Sequence, residues 1–385
     1  MKRKLTFSVL AAVMTVTVFA QQNVGINYNL FNPEITADKK ATFKVLAPQA
    51  ENVLVWGDFQ TTPLQLQKDT AGVWSATTDV LASELYTYRL IVDGLPVNDP
   101  FNPYQLRDIA GVANYFIIDG EKNHYLPHDV KHGNISKVWY HSPSSGKDRR
   151  MTVYTPAGYD DSDSKRYPVF YLLHGMGGDE NAWSELGRAS YILDNMIASG
   201  DAEPMIVVMP NGNANEVAAP GETPEGLYLP SGSRSRSSDN QFEASFKEII
   251  DYVDSHYRTL TDRKHRAIAG LSMGGGHSWR ISMQNPELFD YVGLFSAAAG
   301  WRGSDITPMD NEHLLSEGMM GIFNNPPALY CIGIGKDDFL MPLNDQLRKV
   351  LDDNNFKYTY HLSDGGHIWR NWRDYLSLFL PQLFK

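Results

Sequence analysis

The sequence predicts two bodies in one chain, a small all-β sandwich followed by a larger three-layer α/β domain with a mostly parallel sheet. Three observations carry that expectation. From Ala41 to Asp119 the text is a series of short alternating segments, most of them separated by Gly, Pro, Asp or Asn. After the His-rich connector "EKNHYLPHDVKHG" the pattern changes to buried-strand runs that alternate with helical spacing. At 385 residues, 42% hydrophobic and 21% charged, the chain also has material for two cores.

Taken in order, residues 1–20 come first. Lys2, Arg3 and Lys4 precede an apolar stretch from Leu5 to Phe19 that ends in Val18-Phe19-Ala20. This reads as a secretory signal peptide cut after Ala20, which predicts a periplasmic or secreted protein. The apolar run holds about 15 residues where a membrane span needs about 20. The segments "ATFKVLAP", "NVLVWGDF", "GVWSATTDV", "LYTYRLIVDG" and "NYFIIDG" then read as strands, with Trp56 and Trp74 as sandwich core. Roughly seven strands in about 80 residues, without a helical stretch, indicate an immunoglobulin-like sandwich. It is assigned to residues 21–125, a linker to 126–136 and the α/β domain to 137–385.

In that second domain "YPVFYLLHG", "MIVVMPNG", "HRAIAG", "YVGLFSAAAG" and "ALYCIGIG" are buried-strand text. "FEASFKEIIDYVDSHYR" has helical spacing at Phe242, Phe246, Ile249, Ile250, Val253 and Tyr257. Strands alternating with helices imply a sheet covered on both faces, with ligands at the carboxyl ends of its strands. Cys331, the one cysteine, lies in such a run, so no intramolecular disulfide forms and the thiol belongs to the core. A net charge of -11 argues against nucleic acid as a partner.

The stretch "RAIAGLSMGGGHSW" is the most informative. Gly270-Leu271-Ser272-Met273-Gly274 matches the G-x-S-x-G nucleophile elbow of α/β-hydrolases, with a strand before it and a helix after it. Ser272 is then the nucleophile. The base is expected after the last strand, where "SDGGHIW" supplies His367. The orienting acid is one of two adjacent carboxylates in "IGIGKDDFL", Asp337 or Asp338, and spacing from Gly335 favours Asp338. The backbone N–H of Met273 and one from the turn after "FYLLHG", Met176 or Gly175, are the candidate oxyanion donors. His361 and His277 read as structural. Neither a metal-ligand spacing nor a phosphate or dinucleotide motif is present, so no cofactor is expected.

Together "RRMTVYTPAGYD", "YPVFYLLHGMGG", "AIAGLSMGGGHSW", "GIGKDDFL" and "GGHIWRNWRDYLSLFLPQLF" resemble the esterase D-like α/β-hydrolases. More narrowly, they resemble the feruloyl and acetyl-xylan esterases of the first carbohydrate esterase family, from about Asn134 to Lys385. That resemblance implies Asp338 as the acid, Met176 as the oxyanion donor and His367 as the base. It also implies a feruloylated or acetylated xylan as substrate, with Trp183, Trp301 and Trp369 as candidates for an aromatic slot or sugar platform. The front domain resembles the glycogen-binding modules at the N-termini of isoamylases and branching enzymes. Such modules carry a tryptophan shortly after the "GDF" turn, and this chain reads "GDFQTTP". A wall or lid for the hydrolase cleft is the other role open to it. A siderophore esterase, a sugar acyltransferase and a carbohydrate-binding protein with a silent hydrolase fold are the alternatives.

Overall fold

A computed structural model describes residues 30–120, 124–162, 164–224, 226–230, 241–301 and 319–385. The expected signal peptide lies outside these residues. The front domain contains β1 (Glu34–Ile35), β2 (Ala41–Leu46), β3 (Val53–Gly57), β4 (Leu64–Gln65), β5 (Gln67–Lys68), β6 (Val73–Thr77), β7 (Glu84–Val92), β8 (Leu95–Val97), β9 (Gln105–Asp108) and β10 (Gly111–Ile118). They make two facing sheets, β1-β2-β6-β5 and β4-β3-β7-β10-β9, with β8 paired to β7. Phe43, Val45, Val53, Val55, Trp74, Tyr88 and Phe116 fill the space between.

One sequence expectation for this domain is corrected. Trp74 is buried, but Trp56 is 63% exposed. Along β3 the inward positions are Val53, Val55 and Gly57, so the two-residue period turns Trp56 outward. It lies beside Arg89 of β7, on the outer face of the sheet.

The second domain holds β11 (Asn134–Ser142), β12 (Lys147–Thr155), β13 (Val169–Leu173), β14 (Ile206–Pro210), β15 (Arg266–Leu271), β16 (Tyr291–Phe295), β17 (Leu329–Gly335) and β18 (Thr359–Ser363). Their spatial order is β11-β12-β14-β13-β15-β16-β17-β18. β11 and β12 run antiparallel, and the strands from β14 to β18 run parallel. Period two is visible even in the continuously apolar strands. Val169, Tyr171 and Leu173 enter one core, while Phe170 and Leu172 enter the other. Helices Gln241–His256, Met273–Gln284 and Met341–Asp353 cover the first face, and helices Ala189–Ser199 and Trp369–Phe379 cover the second. This is the three-layer α/β-hydrolase arrangement.

The segment joining the domains is fastened rather than loose. Asn195 Nδ2 donates to the carbonyls of His124 and Leu126, at 2.6 and 2.7 Å. Buried Asp194 accepts from the Gly133 N–H at 2.8 Å and from the Tyr154 hydroxyl at 2.7 Å. β11 begins at Asn134, inside the stretch read as a linker, because it pairs with β12 along its whole length. Nearby, Arg373 of the last helix donates to Glu84 of β7 at 3.1 Å, and both side chains are buried. No helix of the described residues is long and apolar enough to cross a membrane.

Candidate active site

β15 is buried throughout and ends at Leu271; Ser272 follows it and immediately precedes helix Met273–Gln284. Ser272 has φ 54° and ψ -116°, a conformation that costs a non-glycine residue of the order of 1–3 kcal/mol. Its neighbours hold it there. The Ser272 N–H donates to Phe295 O at 2.9 Å, and its carbonyl accepts from Gly276 and Ala298 at 3.0 and 2.9 Å. The flanking glycines are required by close approach. A Cβ on Gly274 would lie 2.4 Å from the His174 carbonyl oxygen, and one on Gly270 would lie 2.5 Å from the Gly274 backbone. The elbow can pack against the end of β13 only if both positions lack side chains.

β17 and β18 deliver the other two groups. Lys336 N–H donates to Ser363 O and Asp337 N–H to Gly365 O, each at 2.9 Å. These bonds zip the two strand ends together and bring the 364–367 loop over Asp338. Both Asp338 oxygens lie near His367 Nδ1, at 3.0 and 2.9 Å. The Leu340 N–H also donates to Asp338 Oδ1, at 2.9 Å. Burial opposes ionisation of Asp338, but the hydrogen bond and charge of His367, with hydrogen bonds from the Leu340 backbone and the Ser296 side chain, outweigh it and hold the carboxyl below its ordinary value. Asp337 points to solvent. The geometry therefore separates the two adjacent carboxylates, one under the imidazole and one outside.

The turn after β13 is set by His174, which is buried. Its Nε2 accepts from the Gly212 N–H at 2.8 Å, so its Nδ1–H donates to Gly175 O at 2.7 Å. Burial keeps this imidazole neutral, lowering its pKa to about 4. Among the described residues, no protein acceptor takes the Met176 or Met273 N–H. Both N–H groups are free to meet a ligand oxygen.

Ser272, His367 and Met176 line one cavity of about 210 Å³. The serine hydroxyl and the imidazole make no hydrogen bond to each other, a looseness common before substrate binds. Of the three tryptophans, Trp369 lines this cavity. Trp183 does not. It is buried, its Nε1 donates to Leu173 O at 2.9 Å, and its ring stands edge-on behind Trp369 at 5.3 Å. Trp301 packs against Ala298, Ile334, Leu340 and Leu343, away from the described lining. Sequence reasoning missed part of the wall. Arg107, Asp108 and Ile109, from the β9–β10 hairpin of the front domain, line the same cavity. Their stretch "QLRDIAG" carries no motif, and only the docking of the two domains brings it here. Desolvation in the cleft raises the pKa of the Asp108 carboxyl, opposed by a hydrogen bond from Trp369 and by the charges of Arg107 and His367.

Comparisons with known proteins bear on this geometry. Residues 142–324 match the family described as putative esterase, and residues 25–104 match carbohydrate-binding module 48, the isoamylase N-terminal domain. The first match lies within the α/β domain and the second within the front part of the chain that holds the sandwich. The chain is similar to a curated relative from Xylanibacter ruminicola, an endo-1,4-beta-xylanase/feruloyl esterase. The two are 32% identical over 363 residues, or 92% of this chain and 46% of that protein. This chain thus spans about half the relative's length. A solved ferulic acid esterase from Anaeromyces mucronatus is 26% identical over 69% of this chain and 96% of its own, with a TM-score of 0.54. The enterobactin esterase of Shigella flexneri shares the fold over 90% of this chain and 93% of its own, at 17% identity and a TM-score of 0.65.

Proposed function

We propose that the protein is an exported serine carboxylester hydrolase that releases ferulate from feruloylated plant polysaccharide. The observation that carries the reaction class is the convergence on one cavity of Ser272, His367 with Asp338 beneath it, and Met176, with the unclaimed Met273 N–H directly after the serine. In this reading Ser272 Oγ attacks the ester carbonyl while His367 Nε2 takes its proton. Asp338 fixes the imidazole orientation and favours the imidazolium that forms. The tetrahedral oxyanion accepts from the Met273 and Met176 N–H groups. Collapse expels the sugar hydroxyl, protonated by His367, and leaves a Ser272 acyl ester. Water, deprotonated by His367, then attacks that ester and frees the acid and the serine.

The substrate reading is supported by what the Xylanibacter and Anaeromyces relatives are said to act on. An aromatic acyl group also suits a cavity walled by Trp369 and Trp372 beside polar residues. Export is supported by the basic and apolar start of the sequence, and its expected sign is a mature N-terminus at Gln21 by mass spectrometry. The two-domain plan shared with the enterobactin esterase favours a siderophore ester as the second reading. The test measures acid release from methyl ferulate, acetylated xylan and a catecholate trilactone side by side. Ferulate release that exceeds the other two supports the proposal, and preference for either of the others replaces it.

A further inference from the structure

The front domain does more than lean on the cleft: we propose that its β9–β10 hairpin holds the oxyanion hole in position, with Arg107 as the positioning residue. The proposal rests on the reading of the Met176 N–H as an oxyanion donor. The hairpin meets the Met176 turn at two points, one and three residues beyond the donor. At the first, Ile109 fills the notch left by Gly177. A Cβ there would lie 2.8 Å from Ile109 Cγ1, and Gly177 has φ +79°. At the second, Arg107 Nη2 pairs with Asp179, whose side chain is 2% exposed. Asp179 in turn accepts the Asn181 N–H at 2.9 Å, so the ion pair ends inside the turn's own hydrogen bonding.

The hairpin is itself under strain that serves this contact. Ile109 sits at φ 53°, where a β-branched residue is a genuine outlier. Arg107 Nη1 donates to the Ile109 carbonyl at 2.9 Å, so one guanidinium both closes the hairpin tip and grips the esterase turn. The esterase domain holds the turn at its start through His174, and closes it through Gly178 N–H to Gly175 O at 3.1 Å and Asn213 Nδ2 to Gly178 O at 2.8 Å. Between Gly175 and Gly178 lie Met176 and Gly177, and the glycine gives this stretch the backbone freedom to let the donor drift. An oxyanion donor acts through preorganisation, and a displacement of about 1 Å costs on the order of 100-fold in rate. The front domain is thus a structural part of the catalytic site.

The test compares wild type, Arg107→Ala, Arg107→Lys, Ile109→Ala and Ser272→Ala on methyl ferulate and p-nitrophenyl acetate, with thermal melts for each. Arg107→Ala is expected to lower kcat by roughly 10- to 100-fold on both esters with KM held within about threefold, because the lost interaction acts in the transition state. Arg107→Lys, which keeps the charge, recovers part of that rate. Ile109→Ala leaves no buried charge unpaired and gives a smaller loss of the same kind, which keeps the test valid should Arg107→Ala fail to fold. Affinity for a boronic acid inhibitor should fall in step with kcat/KM. A wild-type kcat in Arg107→Ala, or a loss confined to KM or to the ferulate ester, overturns the proposal. Activity surviving in Ser272→Ala instead removes the underlying serine-hydrolase reading, so the two failures are distinguishable.

Discussion

Two carboxylates one position apart have opposite surroundings, and the contrast can be measured. Asp338 lies under His367 and is shielded from water, whereas Asp337 is exposed. Asp338→Asn is expected to reduce kcat by about 10,000-fold, the loss seen when a triad imidazole is left in the wrong tautomer. Asp337→Asn should change stability by no more than about 0.5 kcal/mol and leave the rate near wild type. Stopped-assay kinetics on both variants decide the matter, and a larger loss at Asp337 would reverse the assignment. Spacing from Gly335 pointed to Asp338, but the reason is spatial. The β17–β18 hydrogen bonds bring the His367 loop over one carboxylate only. Ser272 was legible because its glycines are required by contacts that no side chain could share. The tryptophans were less so, since an indole reads alike in sequence whether it lines a cavity, as Trp369 does, or supports one from behind, as Trp183 does.

Among the elements, the helix after Ser272 is anchored to helix Gln241–His256 by charge. His277 Nδ1 lies 2.9 Å from Glu243 Oε1, and Arg280 Nη1 lies 3.2 Å from the same oxygen. Burial opposes ionisation of Glu243, but the hydrogen bond and charge of His277, followed by the charge of Arg280, prevail and lower its pKa to about 2. The sign follows directly. Between about 4.5 and about 2 the folded protein binds fewer protons here than the unfolded chain, so this contribution is complete above that window and disappears as pH falls through it. Melting temperature measured across that range should fall steeply for wild type and less steeply for Glu243→Gln. Equal slopes would show that the pair contributes nothing to acid stability. The helices and strands themselves were legible from period and punctuation. The outward turn of Trp56 was legible only from the phase of β3, which a tryptophan beside apolar neighbours obscures.

At the level of the whole molecule, the two domains share buried contacts that no motif announces. Glu84 of β7 meets Arg373 of the last helix, and both are buried. Glu84→Ala leaves that guanidinium without its carboxylate and should destabilise the protein by about 3–5 kcal/mol in urea titrations. A cost below about 1 kcal/mol would mean that this pair adds little to the docking of the domains. The sequence announced both domains and left a cleft wall open as a role for the front one, but it did not identify the contact residues, because Arg107 and Asp179 stand 72 positions apart and neither belongs to a signature. The central claim remains the triad. Hydrolysis of methyl ferulate by wild type and by Ser272→Ala, with matched thermal melts, tests it most directly. The account predicts a folded variant that has lost about a million-fold in kcat. A Ser272→Ala protein that melts like wild type and still hydrolyses the ester at a comparable rate would contradict it.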